Sequence, residues 1–198
     1  IAKPSLEHCS VGLTKAAIGR TAGDVTRIVA ADLKKFTQPI LVEEFIDGPE
    51  YHVTLYQKKG KVVMLPPAQI KFDTKGLDAF LTFNSRWRES DLEFQTSHVD
   101  DPDVSMAELD ALTRVSIATF KKLKFRDYAR LDIRMKGTSV YILEANSNPG
   151  LDDDPAYEMS VSFALAGITF VDFVWAIVHS ALYRYEASTI AVGRGRYT

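Results

Sequence analysis

The residues best suited to chemistry lie between positions 128 and 146. Residues 128–135 read Tyr-Ala-Arg-Leu-Asp-Ile-Arg-Met and residues 138–146 read Thr-Ser-Val-Tyr-Ile-Leu-Glu-Ala-Asn, with Lys136-Gly137 between them as a turn. Alternate residues of a strand share a face. Ala129, Leu131, Ile133, Tyr141, Leu143 and Ala145 then form an apolar face, and Arg130, Asp132, Arg134, Glu144 and Asn146 form the opposite one. Burial of the apolar set fixes the register. Pairing about Gly137 places Arg130 opposite Glu144, with Asp132 one step along. Two carboxylates and an amide oxygen so placed suit Mg²⁺, which takes few protein ligands and fills its shell with phosphate and water. A solvated sheet face crossed by salt bridges has the same composition. The turn Ser147-Asn148-Pro149-Gly150 leaves the strand end open, which favours a site.

The flanking segments supply the scaffold. Ile1–Pro4 and Ser10–Lys15 read as two short strands around a turn. Gly23–Phe36 reads as an amphipathic helix with Val25, Ile28, Val29 and Leu33 on one stripe, and Pro39 prevents its continuation. Ile40–Ile46 reads as a strand ending at the turn Asp47-Gly48-Pro49. Glu50–Tyr56 and Lys61–Leu65 read as a hairpin around Lys59-Gly60. Residues 72–103 are polar and irregular. Ser105 and Glu108 form a capping box that opens a helix carrying Leu109, Leu112, Ile117, Phe120 and Leu123. The most apolar stretch, Met159 to Tyr183, is broken by Gly167, Asp172 and His179, so it reads as two core-packed helices rather than a membrane span.

Composition narrows the function. A chain of 198 residues with 46% hydrophobic and 25% charged residues reads as soluble and globular. A net charge of −2 argues against a general nucleic-acid binder, so phosphate recognition must use a few placed cations. With one cysteine, Cys9, an internal disulfide and a cysteine-rich zinc site are both excluded. A cytoplasmic location is the simpler expectation. His8, His52, His98 and His179 lack metal-ligand spacing and read as structural or solvated.

The hairpin and its turn, Arg130-Leu-Asp132 followed by Leu143-Glu144-Ala-Asn146-Ser-Asn-Pro149-Gly150, resemble the magnesium motif of D-alanine–D-alanine ligases, members of the ATP-grasp superfamily. Three further segments match in order. Ala2 to Gly12 resembles the lysine strand and phosphate-covering loop. Val42 to Ile46 with Gly48-Pro49-Glu50 resembles the adenine hinge and ribose-binding glutamate. Phe80 to Trp87 resembles a loop that in the family ends in lysine–tyrosine.

The resemblance implies an α+β ATP-grasp fold in which two lobes hold ATP between their sheets. It implies a small lobe at 1–58, a large lobe at 59–198, and a preceding α/β domain that this sequence does not include. The implied activity joins a carboxylic acid to an amine through an acyl phosphate, giving ADP and phosphate. The implied cofactors are ATP and Mg²⁺, the partners are small carboxylate and amine substrates, and a homodimer is compatible. Asp132, Glu144 and Asn146 would hold the metal. Lys3 would neutralise a phosphate and the backbone of Ser10, Val11 and Gly12 would cradle others. Glu43 would take the adenine amino group, Glu44 and Ile46 would offer hinge backbone, and Glu50 would take the ribose hydroxyls. Arg130 would stabilise an oxyanion and Arg86 would cap a phosphate. The alternative is an ATP-grasp-like module that binds nucleotide without ligating.

The sequence also departs from the family. His8 stands for a flexible glycine, Cys9 for a serine that bonds the loop tyrosine, Trp87 for that tyrosine and Arg86 for the lysine. Both partners of the family's hydrogen-bonded closure are thus replaced, leaving an arginine–tryptophan pair that can cap a phosphate by charge and packing. After Gly150, Asp152-Asp153-Asp154 stands where the family has small polar residues that receive a substrate carboxylate, and Pro155 stiffens the exit. Three carboxylates disfavour D-alanine as the attacking amine and favour a basic or larger one. A solvated loop, with the carboxylate held by Arg86 or Arg134, is the other reading.

Overall fold

The computed structural model describes residues 1–154 and 157–194, so Pro155 lies outside the described residues. The chain forms two compact units. One comprises Ile1–Gly48 with Ile70–His98; the other comprises Pro49–Gln69 with Val99 onward. This differs from the two consecutive segments expected, 1–58 and 59–198. Residues 50–58 leave the first unit because residues 50–56 pair with 128–134, and residues 70–98 return to it.

In the first unit, β1 (Ala2–Pro4) pairs antiparallel with β2 (Ile40–Val42), Lys3 opposite Leu41. The helix α1 (Ala22–Phe36) lies between them in sequence. It starts at a capping box in which Thr21 and Asp24 satisfy each other's backbone, and it ends at Thr37 in the left-handed region, before Pro39 is reached. Val25, Ile28 and Val29 are half-buried, whereas Leu33 is exposed. The expected strand at Ser10–Lys15 is absent. Cys9 and Ser10 have φ of 57° and 59°, which breaks extended structure, and residues 15–17 form a 3-10 turn. The expected strand Ile40–Ile46 stops at Val42. Residues 72–103 are less irregular than their composition suggests. Thr82 caps α2 (Phe83–Trp87) and Asp91 caps α3 (Leu92–Gln95). These helices are too short to show a hydrophobic period.

In the second unit, β3 (Glu50–Lys58) and β4 (Lys61–Met64) form the expected hairpin, with Lys59 and Gly60 at φ of 51° and 76° in its turn. The strand β7 (Tyr128–Lys136) pairs antiparallel with β3 on one side and with β8 (Ser139–Asn146) on the other. With β5 (Ala68–Phe72) and β6 (Ser97–Asp100), the strand order is β6-β5-β3-β7-β8. The helix α4 (Met106–Lys122), capped by Ser105 and Glu108, covers the apolar face. Tyr51, Val53 and Leu55 of β3 and Leu131, Ile133 and Met135 of β7 pack there with Leu112 and Phe120. Each fully buried aliphatic side chain contributes about 2 kcal/mol. After β8 come α5 (Glu158–Ala166), closed by Gly167 at φ 65°, and α6 (Phe170–Arg194). Met159, Phe163 and Phe173 of these helices pack on Tyr56 and Leu65. Among the described residues no single helix is long and apolar enough to cross a membrane. Only Glu158–Ala166 with Phe170–Glu186 pass together, as a pair bent by 92°.

Candidate functional site

The face of β3-β7-β8 opposite α4 carries three polar rows set by the pairing. The first is Glu50 on β3, Arg134 on β7 and Tyr141 on β8. The second is His52, Asp132 and Glu144, and the third is Thr54, Arg130 and Asn146. Two expectations are corrected here. Arg130 lies opposite Asn146, not Glu144, and Asp132 is the residue opposite Glu144. Tyr141 lies opposite Arg134 on the polar face rather than with Leu131. Two steps produce these changes. The turn closes with Lys136 opposite Ser139, one residue off pairing about Gly137, which puts Tyr141 opposite Arg134; a register shift between Asp132 and Ile133 then leaves Leu143 as an extra residue on β8 and adds the second step. Tyr141, Ile142 and Leu143 are all exposed, at 38%, 38% and 40%, on the strand that ends the sheet.

The rows are dense in charge. Arg130 Nε donates to Asp132 Oδ1 at 2.7 Å and its Nη2 donates to Oδ2 at 3.1 Å. Burial opposes the Arg130 cation, but Asp132, Glu158 and Glu144 outweigh it and raise its affinity for the proton. Arg134 donates from Nε and Nη2 to Glu50 Oε2 at 3.0 and 2.9 Å. Glu50 is buried, which penalises its charge, yet His52 and Arg134 hold its carboxyl down at about 2.

His52 is the residue that sequence reasoning missed. Its side chain is fully buried, with Nδ1 2.9 Å from Glu158 Oε1 and Nε2 3.7 Å from Glu50 Oε1 and 3.9 Å from Asp132 Oδ1. The signal was alternation: Glu50, His52 and Thr54 fall on one face, between Tyr51, Val53 and Leu55 on the other. Glu158 was missed as well, as an acidic residue at the start of an apolar helix.

Asp132, Glu144 and Asn146 share this face. Asn146 Nδ2 is buried without a hydrogen-bond partner, which leaves its amide free to turn its oxygen towards a ligand. Among the described residues no group of three His, Cys, Asp or Glu is arranged to hold a metal. Two carboxylates with one amide is nevertheless a donor set of the hard-oxygen type, with room for phosphate and water. The residues fit Mg²⁺ on that ground.

In the first unit, Lys3 Nζ and Glu43 Oε2 pair at 2.5 Å, and Ile1 and Glu43 exchange backbone hydrogen bonds of 2.9 and 3.0 Å. Glu44 is exposed and Ile46 buried. The loop of Ser10, Val11 and Gly12 is pressed onto β1. A Cβ on Gly12, at φ +84°, would stand 2.7 Å from Pro4 Cγ and 2.9 Å from Phe36 Cζ. Trp87 Nε1 donates to the Cys9 carbonyl at 2.9 Å. Cys9 and Trp87 therefore meet, through backbone and indole. Arg86 Nε is buried without a hydrogen-bond partner. Lys15 was not anticipated: its Nζ donates to Asp78 O at 2.5 Å and sits 4.7 Å from the Phe80 ring centroid.

The segment after β8 is tied back to the sheet. Tyr128 Oη donates to Asn148 Oδ1 at 2.7 Å and to Pro149 O at 3.3 Å. Asp152, Asp153 and Asp154 are exposed, and Asp152 Oδ1 accepts from the Asp154 amide at 2.9 Å.

The sequence profile of the family described as "D-ala D-ala ligase C-terminus" matches residues 1–179. The chain belongs to this family. As a D-Ala-D-Ala ligase C-terminal chain it is 30% identical, over 96% of its length, to the uncharacterized protein y4sG of Sinorhizobium fredii. It is 28% identical over 92% of its length to the D-alanine–D-alanine ligase of Coprothermobacter proteolyticus. The chain spans about half the length of these curated relatives, 54% and 55%. The crystal structure of D-alanine–D-alanine ligase from Bacillus anthracis shares its fold, with a TM-score of 0.69, 20% identity and coverage of 93% of this chain and 55% of that one. A second structure of that protein, complexed with ATP, aligns with a TM-score of 0.63 at 17% identity over 94% of this chain and 61% of that one. The ATP-grasp α+β architecture expected from the sequence is thus the observed one.

Proposed function

We propose that this chain is the nucleotide- and metal-binding part of an ATP-dependent ligase that joins a carboxylic acid to an amine, giving ADP and phosphate. The supporting observation is the second polar row with its neighbours: Asp132 opposite Glu144, and Arg130 opposite Asn146, whose Nδ2 is buried without a hydrogen-bond partner, in a chain of this family.

Asp132, Glu144 and Asn146 would hold Mg²⁺, which supplies charge neutralisation for the phosphates of ATP. The remaining work falls to the protein's own groups. Lys3 would meet a phosphate, and the amides of Ser10, Val11 and Gly12 would donate to others. Glu43 would accept from the adenine amino group, with Glu44 and Ile46 offering hinge backbone. Because Lys3 and Glu43 pair with one another, a nucleotide engaging both exchanges one exposed ion pair for two charge-assisted bonds. Glu50 would accept from ribose hydroxyls. Arg86 would cap a phosphate.

Phosphoryl transfer needs positioning and charge stabilisation more than covalent help. The substrate carboxylate attacks the terminal phosphorus, ADP leaves, and an acyl phosphate forms. The amine then attacks the acyl carbon, phosphate leaves, and the amine loses a proton. Arg130, held by Asp132, would stabilise the oxyanion of that second step.

Trapping tests the reading. The complete protein, ATP, Mg²⁺ and a panel of amino acids should release ADP, and hydroxylamine should divert the acyl phosphate to a hydroxamate. ADP release without hydroxamate or peptide product would leave a nucleotide-binding or hydrolytic module instead.

A further inference from the structure

None of the roles assigned above uses His52, although it sits at the centre of the polar face with no solvent exposure. The imidazole touches two elements at once. Nε2 faces Glu50 and Asp132 on the sheet, and Nδ1 faces Glu158, the first residue of α5. A carboxylate in the first turn of a helix is favoured by the helix dipole, so α5 itself helps to present Glu158. Three carboxylates (Glu50, Asp132, Glu158) and two guanidiniums (Arg130, Arg134) line this region. The ring thus stands between carboxylates on opposite sides, Glu50 and Asp132 on the sheet and Glu158 on α5.

This contact lies at the start of α5, and residues 147–154 follow β8. The near end of the stretch between β8 and α5 is tied by Tyr128 to Asn148 and Pro149. At its far end, Glu158 meets His52 on β3. Asn146, at the end of the candidate metal set, immediately precedes the near tie, and the exposed Asp152-Asp153-Asp154 lies between the two.

We propose that His52 and Glu158 form a positioning pair that fastens the segment after β8 to the Asp132 row of the sheet. The inference rests on the nucleotide-and-metal reading of that row. The pair gives Asp132 a fixed neighbour and the Asp152–Asp154 turn a fixed position relative to the metal ligands.

Glu158→Gln, His52→Gln and the double variant test it in the complete protein, by hydrogen exchange of residues 147–154 and by electron paramagnetic resonance of Mn²⁺ bound with ADP. Glu158→Gln is the deciding variant, because it is isosteric and its side chain keeps some solvent contact, so folding is retained. Exchange across 147–154 should rise about tenfold, with β3 and β7 amides unchanged. Mn²⁺ affinity should fall about three- to tenfold, and the double variant should match either single one. Parental exchange in 147–154, or an equal rise throughout β3, β7 and α4, would overturn the pairing role. If the parent binds no Mn²⁺ with ADP, the nucleotide reading fails, while the exchange result still decides the pair.

Discussion

Replacing Glu50 by Gln should cost stability in a pH-dependent way. Glu50 is buried at 6% exposure and Arg134 at 3%, with two hydrogen bonds joining them. Burial alone would raise the Glu50 carboxyl; His52 and Arg134 instead hold it at about 2, against an ordinary 4.5. At about 1.4 kcal/mol per pH unit, that depression stabilises the fold by about 3 kcal/mol at neutral pH. Removing one partner of a buried pair costs a similar amount, about 3–5 kcal/mol, because Arg134 loses the carboxylate that accepts its two charged hydrogen bonds. Since the folded carboxyl titrates below the unfolded one, the contribution is complete above pH 4.5 and disappears as pH falls from 4.5 towards 2. Urea denaturation of parent and Glu50→Gln, followed by circular dichroism at pH 7, 5, 4 and 3, reads the difference directly. Other carboxylates titrate in both proteins and cancel. The expected difference is about 3 kcal/mol at pH 7 and 5, shrinking at pH 4 and further at pH 3. A difference below about 1 kcal/mol at pH 7, or one that does not change with pH, would refute the buried-pair reasoning.

Glu144→Gln should abolish turnover while the circular dichroism spectrum is retained, since removing one charge from the metal set raises the barrier by several kcal/mol; turnover within about twofold of the parent would contradict the metal assignment. Gly12→Ala should destabilise the protein by about 1–3 kcal/mol in thermal or urea unfolding, because φ +84° disfavours a Cβ and that Cβ would meet Pro4 and Phe36. D-Alanine should lose to cationic amino acids as the attacking amine when both are supplied with ATP and the product is identified by mass. Like charges at contact distance cost about 1–4 kcal/mol, and a product made mainly of two D-alanines would refute the role given to Asp152, Asp153 and Asp154.

The hairpin at 128–146 was legible because its two faces differ in composition, and Asp132, Glu144 and Asn146 fall on one face in the structure as in the sequence. Its register was not, because the turn closure at Lys136 opposite Ser139 and an extra residue at Leu143 change neither the composition nor the motif, only the pairing. The Lys59-Gly60 turn and the Ser105–Glu108 cap were legible because local chemistry decides them. The Ser10–Lys15 segment was misread because positive φ at Cys9 and Ser10 comes from how the loop packs, not from residue types that favour it. The discontinuous units, with 70–98 returning to the first, depend on long-range pairing of β3 with β7. His52 was passed over for the same reason: spacing along the chain reports neighbours at two residues, whereas its partners Asp132 and Glu158 are distant in sequence.

The central claim is that this chain binds a magnesium nucleotide through its own residues, and titration calorimetry with a non-hydrolysable ATP analogue tests it most directly. The complete protein should give saturable heat in the presence of Mg²⁺, and that heat should be lost when Mg²⁺ is removed or when Glu144 is changed to Gln. No heat and no thermal shift at millimolar analogue with Mg²⁺ present would contradict it.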